Sequence, residues 1–320
     1  MSEYQYYEFR AIDRPLSEAD RRELRKLSTR ARITATSFTN HYNFGDFRGD
    51  PAKLMRRWFD LHVYKADWGS RRLMIRLPKG LLQPGLADLF LRNVEDASLT
   101  TSGDNLILDI SLNDLEQKDD DYLDDGSRWA PRLAALRADV LGGDLRVFYL
   151  LWLMAVESGD ADPAEPEPLP GIGPLTAALK VFVDFIRIDP DLAHAAAERA
   201  GAMAESKSDA LPRRTAGELL ARATVVHETR IKRQATHRAR ALNKQLESLR
   251  QRGEAVWDEI ESNIALRLPA RYDKACKLLR DLKTLAELDR ASEEFNRRLS
   301  ALRKRHSRKR QFIVRLEELA

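Results

Sequence analysis

The spacing of apolar and polar residues changes along the 320-residue chain, from a strand-like pattern at its beginning to a helical one later. In the first 112 residues, short aromatic and β-branched runs alternate with glycine-containing turns, which is typical of antiparallel strands. Strands are predicted over residues 4–12, 34–44, 63–68, 71–77, 97–101 and 105–110. Ser17 and the pair Asp50-Pro51 are residue types that begin helices. Residues 1–112 are therefore expected to form a small antiparallel α+β domain.

Helical periodicity follows in the middle of the chain. Residues 128–141 and 144–157 are predicted to form two helices separated by Gly142-Gly143. The second of them is apolar on all sides, which indicates a buried helix. Five prolines predict a loop over residues 157–174. Residues 113–205 are therefore expected to form an acidic helical region that contains this proline-rich loop.

One long amphipathic helix is predicted over residues 215–266, because this stretch has no proline and a single glycine, Gly253. Its apolar side chains fall within a sector of about 80°, and from Leu242 onward their spacing is close to that of a coiled coil. These positions are Ile231, Ala235, Leu242, Leu246, Leu249, Val256, Ile260 and Ile264. Three shorter helices are predicted to follow, with Cys276 buried in the first. Residues 206–320 are thus expected to form the third region, an α-helical one with a helical tail.

Charge is segregated along the chain, although the net charge is only +4. Residues 1–90 carry +6, residues 91–210 carry −14 and residues 211–320 carry +12. Such asymmetry indicates either a polyanionic partner or the docking of one part of the chain on another. The sequence leaves both interpretations open.

Two groups of basic residues are the candidate nucleic-acid-binding sites. The first occupies the face of the long helix opposite its apolar residues and consists of Arg222, Arg230, Arg233, His237, Arg240 and Lys244. It extends over about 33 Å at 1.5 Å per residue, close to one duplex turn of about 34 Å. The second lies in the tail and consists of Arg303, Lys304, Arg305, Arg308, Lys309 and Arg310. Cations near a helix C-terminus also stabilise the helix dipole, so a structural role is equally open for the second group.

The same features allow a different partner. The apolar seam over residues 242–264 is suited to a helical partner or to a second copy of the chain in a homodimer. The basic face would then meet an acidic protein surface, and residues 91–210 of the chain itself are one candidate for it. An ordinary solvent-exposed helix face is the third interpretation of the pattern.

No catalytic motif is present, and no cofactor is expected. The single cysteine excludes a disulfide framework and a multi-cysteine zinc site within this chain. The cluster of His41 with Asp46 and Asp50 is the one group that acid–base chemistry could use. The aromatic residues of positions 1–90, together with Arg71, Arg72 and Arg76, are similar to a base-stacking platform, but core packing explains them better. The sequence therefore predicts a non-enzymatic protein.

The longest apolar run, over residues 147–156, has ten residues, whereas a membrane-spanning helix needs about 20. The first residues also lack the basic and apolar regions of a secretory signal. We therefore expect no membrane partner and a cytoplasmic protein.

Two stretches resemble a group of uncharacterised bacterial proteins. One begins with MSEYQYYEFRAIDRPLSE and continues in SFTNHYNFGDFRGDPAKLM and WGSRRLMIRLP; the other contains ARYDKACKLLRDLKTLA and LSALRKRHSRKRQFIVRLEEL. Some proteins of that group carry a SWIM-type zinc finger, a module associated with DNA-related machinery. Its CxC and CxH pairs are absent here, so the resemblance implies nucleic-acid-associated work without zinc. Together these observations predict an adaptor or nucleic-acid-associated protein, with a protein–protein scaffold as the alternative.

Overall fold

The computed structural model describes residues 4–82, 85–113, 115–116, 124–199 and 212–317. The chain divides into two compact units, residues 1–228 and residues 229–320. The first unit combines the predicted α+β domain with the acidic helical region that follows it. The second contains the greater part of the predicted third region. The α+β class is confirmed.

The first unit is built on one antiparallel sheet, which has seven strands among the described residues, in the order β2-β3-β1-β4-β5-β7-β6. The strands are β1 (Gln5–Arg10), β2 (Arg32–Ile33), β3 (Ser37–Tyr42), β4 (Leu61–Ala66), β5 (Arg71–Pro78), β6 (Ala97–Ser102) and β7 (Asn105–Leu112). Glycine-containing turns join β4 to β5 and β6 to β7, as the sequence predicts.

Helices cover both faces of this sheet. On one face α1 (Glu18–Leu27) and α2 (Pro51–Arg57) pack over Phe9, Phe38 and Met74. Both begin as predicted, α1 with a capping box between Ser17 and Asp20 and α2 with Asp50 as its N-cap before Pro51.

The other face carries the larger core, formed by residues such as Val63, Leu73 and Leu108. The helices that contribute to this core are α3 (Leu86–Leu91), α4 (Trp129–Leu141), α5 (Arg146–Ser158), α6 (Ala177–Ile186), α7 (Pro190–Ala197) and the first residues of α8 (Ala216–Arg252). Helix α5 is buried nearly all round, as predicted. The acidic helical region thus uses its apolar residues to cover the sheet.

The second unit is helical throughout its described residues. The rest of α8 is followed by α9 (Glu254–Ala265), α10 (Pro269–Leu288), α11 (Ser292–Arg305) and α12 (Arg310–Glu317). These helices enclose a core that includes Cys276, whose predicted burial is confirmed.

The prediction of one continuous helix over residues 215–266 is wrong at Gly253. This glycine has a φ of +50° and separates α8 from α9. The apolar residues on both sides of the glycine join the same core as α10 and α12. Within the described residues, no helix combines the length and apolar character that crossing a bilayer requires.

Candidate polyanion interface

Every residue from 229 to 245 is exposed, so this part of α8 presents its whole circumference to solvent. Its sequence is rich in Ala, Arg, Lys and Gln, which have high intrinsic helix propensity. The helix is held beyond that stretch by Leu246 and Leu249, which are buried in the core of the second unit. An exposed helical segment of this kind makes its side chains available to a partner.

Four of the predicted basic residues lie in this exposed segment: Arg233, His237, Arg240 and Lys244. At 100° per residue they fall within a sector of about 60°, and they extend over about 17 Å of helix. Within the second unit, none of the four forms a hydrogen bond or an ion pair with a described residue. They therefore present an uncompensated positive surface, which we call the α8 basic face.

The beginning of the predicted group differs, because it belongs to the first unit. Arg222 forms two hydrogen bonds with Glu198, from Nε at 2.6 Å and from Nη2 at 2.7 Å. These bonds raise the pKa of Arg222 and lower the pKa of Glu198. His227 lies 2.8 Å from the buried carboxylate of Asp191. Acidic residues of the predicted middle region thus neutralise Arg222. Arg230 is exposed and lies one turn before the α8 basic face.

The basic run of the tail is divided between structural and unpaired cations. Lys309 donates from Nζ to the carbonyl of Ile264 at 3.0 Å, which caps the C-terminal end of α9. Arg303 pairs with Glu317 at 3.2 Å, and Arg305 pairs with Glu261. Lys304, Arg308 and Arg310 are exposed and form no ion pair with the described residues of their unit. The helix-dipole interpretation thus applies to Lys309 and to Arg303, Lys304 and Arg305, which lie in the last turn of α11. The three unpaired cations remain candidates for anion binding.

The apolar seam is used mainly inside the second unit. Leu246, Leu249, Val256, Ile260 and Ile264 are buried in its core together with residues of α10, α11 and α12. Ile231 and Leu242 remain 46% and 44% exposed on the side opposite the α8 basic face. A helical partner or a second copy of the chain would therefore find the seam covered between residues 246 and 264.

The cluster predicted from His41, Asp46 and Asp50 is not assembled as a site. His41 is exposed and stacks on Tyr4, with 6.4 Å between the ring centroids. The carboxylate of Asp50 accepts from the backbone N–H groups of Ala52 and Lys53, and Asp46 accepts from Gln5 at 3.1 Å. No hydrogen bond joins His41 to either aspartate among the described residues. Each carboxylate thus has a structural partner instead.

Sequence reasoning missed His62, which is fully buried on β4. Its Nδ1 lies 3.0 Å from the carbonyl of Glu8, and its Nε2 has no hydrogen-bond partner. An unpaired buried acceptor costs about 1–3 kcal/mol of stability. The sequence could not identify this histidine as buried, because its burial depends on strand register, which places His62 opposite Phe9.

Metal binding has no candidate in the described part of the chain, since no group of three or more His, Cys, Asp or Glu side chains there could hold an ion. Comparison with protein-family models, with curated proteins and with solved structures finds no match to this chain.

Proposed function

We propose that the protein is a non-enzymatic, cytoplasmic factor that binds nucleic acid with little sequence preference through the α8 basic face. The carrying observation is that Arg233, His237, Arg240 and Lys244 stand on one side of an exposed helix without a carboxylate partner in their unit. Like charges along a helix face destabilise it by about 0.2–0.5 kcal/mol per pair. Phosphate groups would relieve this repulsion and release their counterions on binding.

The resemblance to uncharacterised bacterial proteins, some of which carry a module associated with DNA-related machinery, points in the same direction. The length of the face also fits, since about 17 Å corresponds to half a turn of duplex. Contacts of this type bind the phosphate backbone, so binding with little sequence preference needs no base-reading motif. Lys304, Arg308 and Arg310 would supply further phosphate contacts in the same manner.

The test compares two triple variants of the full chain that lose equal charge. The first, Arg233→Gln/Arg240→Gln/Lys244→Gln, removes three cations of the α8 basic face. The matched control, Arg250→Gln/Arg252→Gln/Lys274→Gln, removes three cations that already pair with carboxylates of the second unit. Glutamine has a helix propensity close to that of Arg and Lys, so both variants keep the helix.

Binding is measured as the shift of a labelled duplex and of a labelled single strand at low salt. We expect the first variant to lose about tenfold or more in affinity and the control to lose much less. Equal losses in the two variants would show that net charge alone is responsible, and no binding by the unmodified protein would refute the proposal.

A protein–protein scaffold is the second candidate, and the exposure of Ile231 and Leu242 favours it. These side chains continue the face of Leu246 and Leu249 beyond the core of the second unit. A helical partner, including a second copy of the chain, would cover them. Light scattering of the full chain tests the homodimer: a dimer that dissociates in Leu242→Glu would support it, and a monomer would count against it.

A further inference from the structure

A second candidate site lies in the first unit, on the sheet face that α1 and α2 cover only in part. It is a cleft of about 270 Å³, and its lining includes His62, Tyr7, Tyr64, Phe47, Arg72 and Ser111. Register places Tyr7 opposite Tyr64, Tyr64 opposite Arg72, and Arg72 opposite Ser111 across four neighbouring strands. The sheet itself therefore holds these side chains on one surface.

The hydrogen-bonding role of His62 follows from its neighbours. A carbonyl oxygen only accepts, so the contact with Glu8 requires that Nδ1 carries the proton. Burial lowers the pKa of His62 to about 3, which keeps the ring neutral. Nε2 is then an acceptor without a proton, and it has no donor among the described residues. A fully buried acceptor in the lining of a cleft is suited to a ligand that supplies an N–H or O–H group.

The charge of Arg72 is compensated within the cleft. Arg72 forms a bidentate pair with Asp109, with Nε at 2.8 Å from Oδ1 and Nη2 at 2.6 Å from Oδ2. Its Nη1 is not used in that pair and remains available as a donor. Tyr7 and Tyr64 donate their hydroxyl protons to Gln5, at 2.7 Å and 3.3 Å. Burial raises the pKa of Tyr64 to about 12, so its phenol is neutral. The ligand is therefore expected to be uncharged.

The walls favour a flat ring. The centroid of Tyr7 lies 4.7 Å from that of Tyr64 and 5.1 Å from that of Phe47, which forms an aromatic surface. Gly49 lines the cleft beside Phe47, and a Cβ on this glycine would overlap the phenyl ring. Since sites for drug-sized ligands are about 300–1,000 Å³, this smaller cleft suits a single ring.

We propose that this cleft binds a neutral planar heterocycle that has an N–H donor next to a carbonyl acceptor. The N–H group would donate to His62 Nε2, and the carbonyl would accept from Arg72 Nη1. His62 and Arg72 are diagonal neighbours on adjacent strands, about 7–8 Å apart in such a register, which leaves room for one ring. The ligand can be a free molecule or a base within a single strand, because the ring chemistry is the same.

The experiment uses the full chain with ¹⁵N-labelled histidine and uracil as the probe. Long-range ¹H–¹⁵N spectra report the Nε2 resonance of His62, with exposed His41 as the internal control. Uracil is expected to shift the His62 signal and to leave His41 unchanged. The matched compound 1,3-dimethyluracil keeps the ring and both carbonyls but has no N–H, so it should bind about tenfold or more weakly.

Further experiments identify the residues that contact the ligand and show whether the ring is a free molecule or a base within a strand. His62→Phe keeps the aromatic stacking but removes the acceptor, and it should lose uracil binding in ligand-observed spectra, whereas His41→Phe should retain it. A uridine tetranucleotide that also shifts His62 extends the site to strands; no shift restricts it to free heterocycles. The absence of any uracil effect at His62, or equal binding of 1,3-dimethyluracil, would overturn the proposal. The comparison of the two probes needs no variant and stands even if His62→Phe does not fold.

Discussion

Asp60 shows how a single charged residue stabilises the interior of the first unit. Its side chain is completely buried and accepts from the backbone N–H groups of Ile12 at 2.6 Å and Asp13 at 2.9 Å. Arg76 donates to it from Nε at 3.0 Å and from Nη2 at 2.5 Å. Burial alone would raise the pKa of Asp60, but these donors outweigh burial and lower it. The folded state therefore favours the carboxylate.

Replacing this carboxylate should be costly. In Asp60→Asn the amide cannot match four donors, and the Arg76 charge loses its partner, so we expect a loss of about 3 kcal/mol in the free energy of unfolding. Urea unfolding at neutral pH measures this loss. Glu23→Gln is the control, since Glu23 pairs with Lys26 in an exposed position where solvent screens the pair and little stability is at stake. Similar losses of unfolding free energy in Asp60→Asn and Glu23→Gln would contradict this stabilising role of Asp60.

Acid titration of the unmodified protein and of Asp60→Asn provides a second test of the lowered pKa. Because the pKa of Asp60 is lower in the folded state, its contribution is fully present above the unfolded value of about 3.9. The contribution is lost as pH falls through the folded pKa. The stability of the unmodified protein should therefore decrease more steeply below that value than the stability of Asp60→Asn. Parallel curves would argue against a lowered pKa.

At the scale of elements, the break at Gly253 decides where α8 ends. The residue has φ +50° and ψ −124°, a backbone conformation that residues other than glycine strongly disfavour. A Cβ at this position would meet no other atom within 4 Å. The cost of Gly253→Ala is therefore conformational rather than steric, about 2 kcal/mol. Hydrogen exchange of the α9 amides should report this loss. Gly80→Ala, at an open position without a positive φ, should change stability by less than about 1 kcal/mol.

Alanine substitutions at a buried and at an exposed position of the apolar seam should differ in their effect on stability. Leu246 is buried, so Leu246→Ala is expected to cost about 3 kcal/mol through lost packing. Leu242 is 44% exposed, and Leu242→Ala should stay within about 0.5 kcal/mol. Hydrogen exchange of the α10 amides in the full chain measures both. A large effect at Leu242 would mean that the exposed end of the seam is covered by a partner in solution.

Local signals account for what the sequence could predict. The capping box at Ser17, the Asp50-Pro51 start and the turn between β4 and β5 each depend on a few neighbouring residues, and all three are confirmed. The break at Gly253 was not predictable, because one glycine in a helical pattern is often tolerated and only packing with α10 requires a turn. His62 was missed for a similar reason, since its surroundings come from other strands.

For the candidate site, the position of a residue on the helix could be predicted, but its ion-pair partner could not. Periodicity placed Arg222, Arg233 and Lys244 on one face of the helix, and this geometry holds throughout α8. Whether a cation on that face is paired depends on acids that lie far away in sequence. Arg222 meets Glu198 across a chain separation of 24 residues, which no spacing rule could indicate.

For the whole molecule, the two units have opposite net charge. Residues 1–228 carry 30 Lys and Arg against 37 Asp and Glu, a net charge of −7, whereas residues 229–320 carry 24 against 13, a net charge of +11. Much of the acidity of the first unit is used internally, as in the buried pair of Glu167 with Arg214 at 2.9 Å. A polyanion would therefore be attracted to the second unit and repelled by the first, which restricts the surface available for binding.

This charge division leads to a prediction about salt. If Arg233, Arg240 and Lys244 each contact one phosphate, they contribute about −2.7 to the slope of log K against log salt, so these contacts alone should lower the duplex affinity about 40-fold between 50 and 200 mM. Titrations of a labelled duplex at several salt concentrations measure the slope. The Arg233→Gln/Arg240→Gln/Lys244→Gln variant should lose this part of the slope and keep only the part due to Lys304, Arg308 and Arg310, whereas Arg250→Gln/Arg252→Gln/Lys274→Gln should keep the full slope. If the first variant retains the full slope, the phosphate contacts lie elsewhere in the second unit, with Lys304, Arg308 and Arg310 as the next residues to replace.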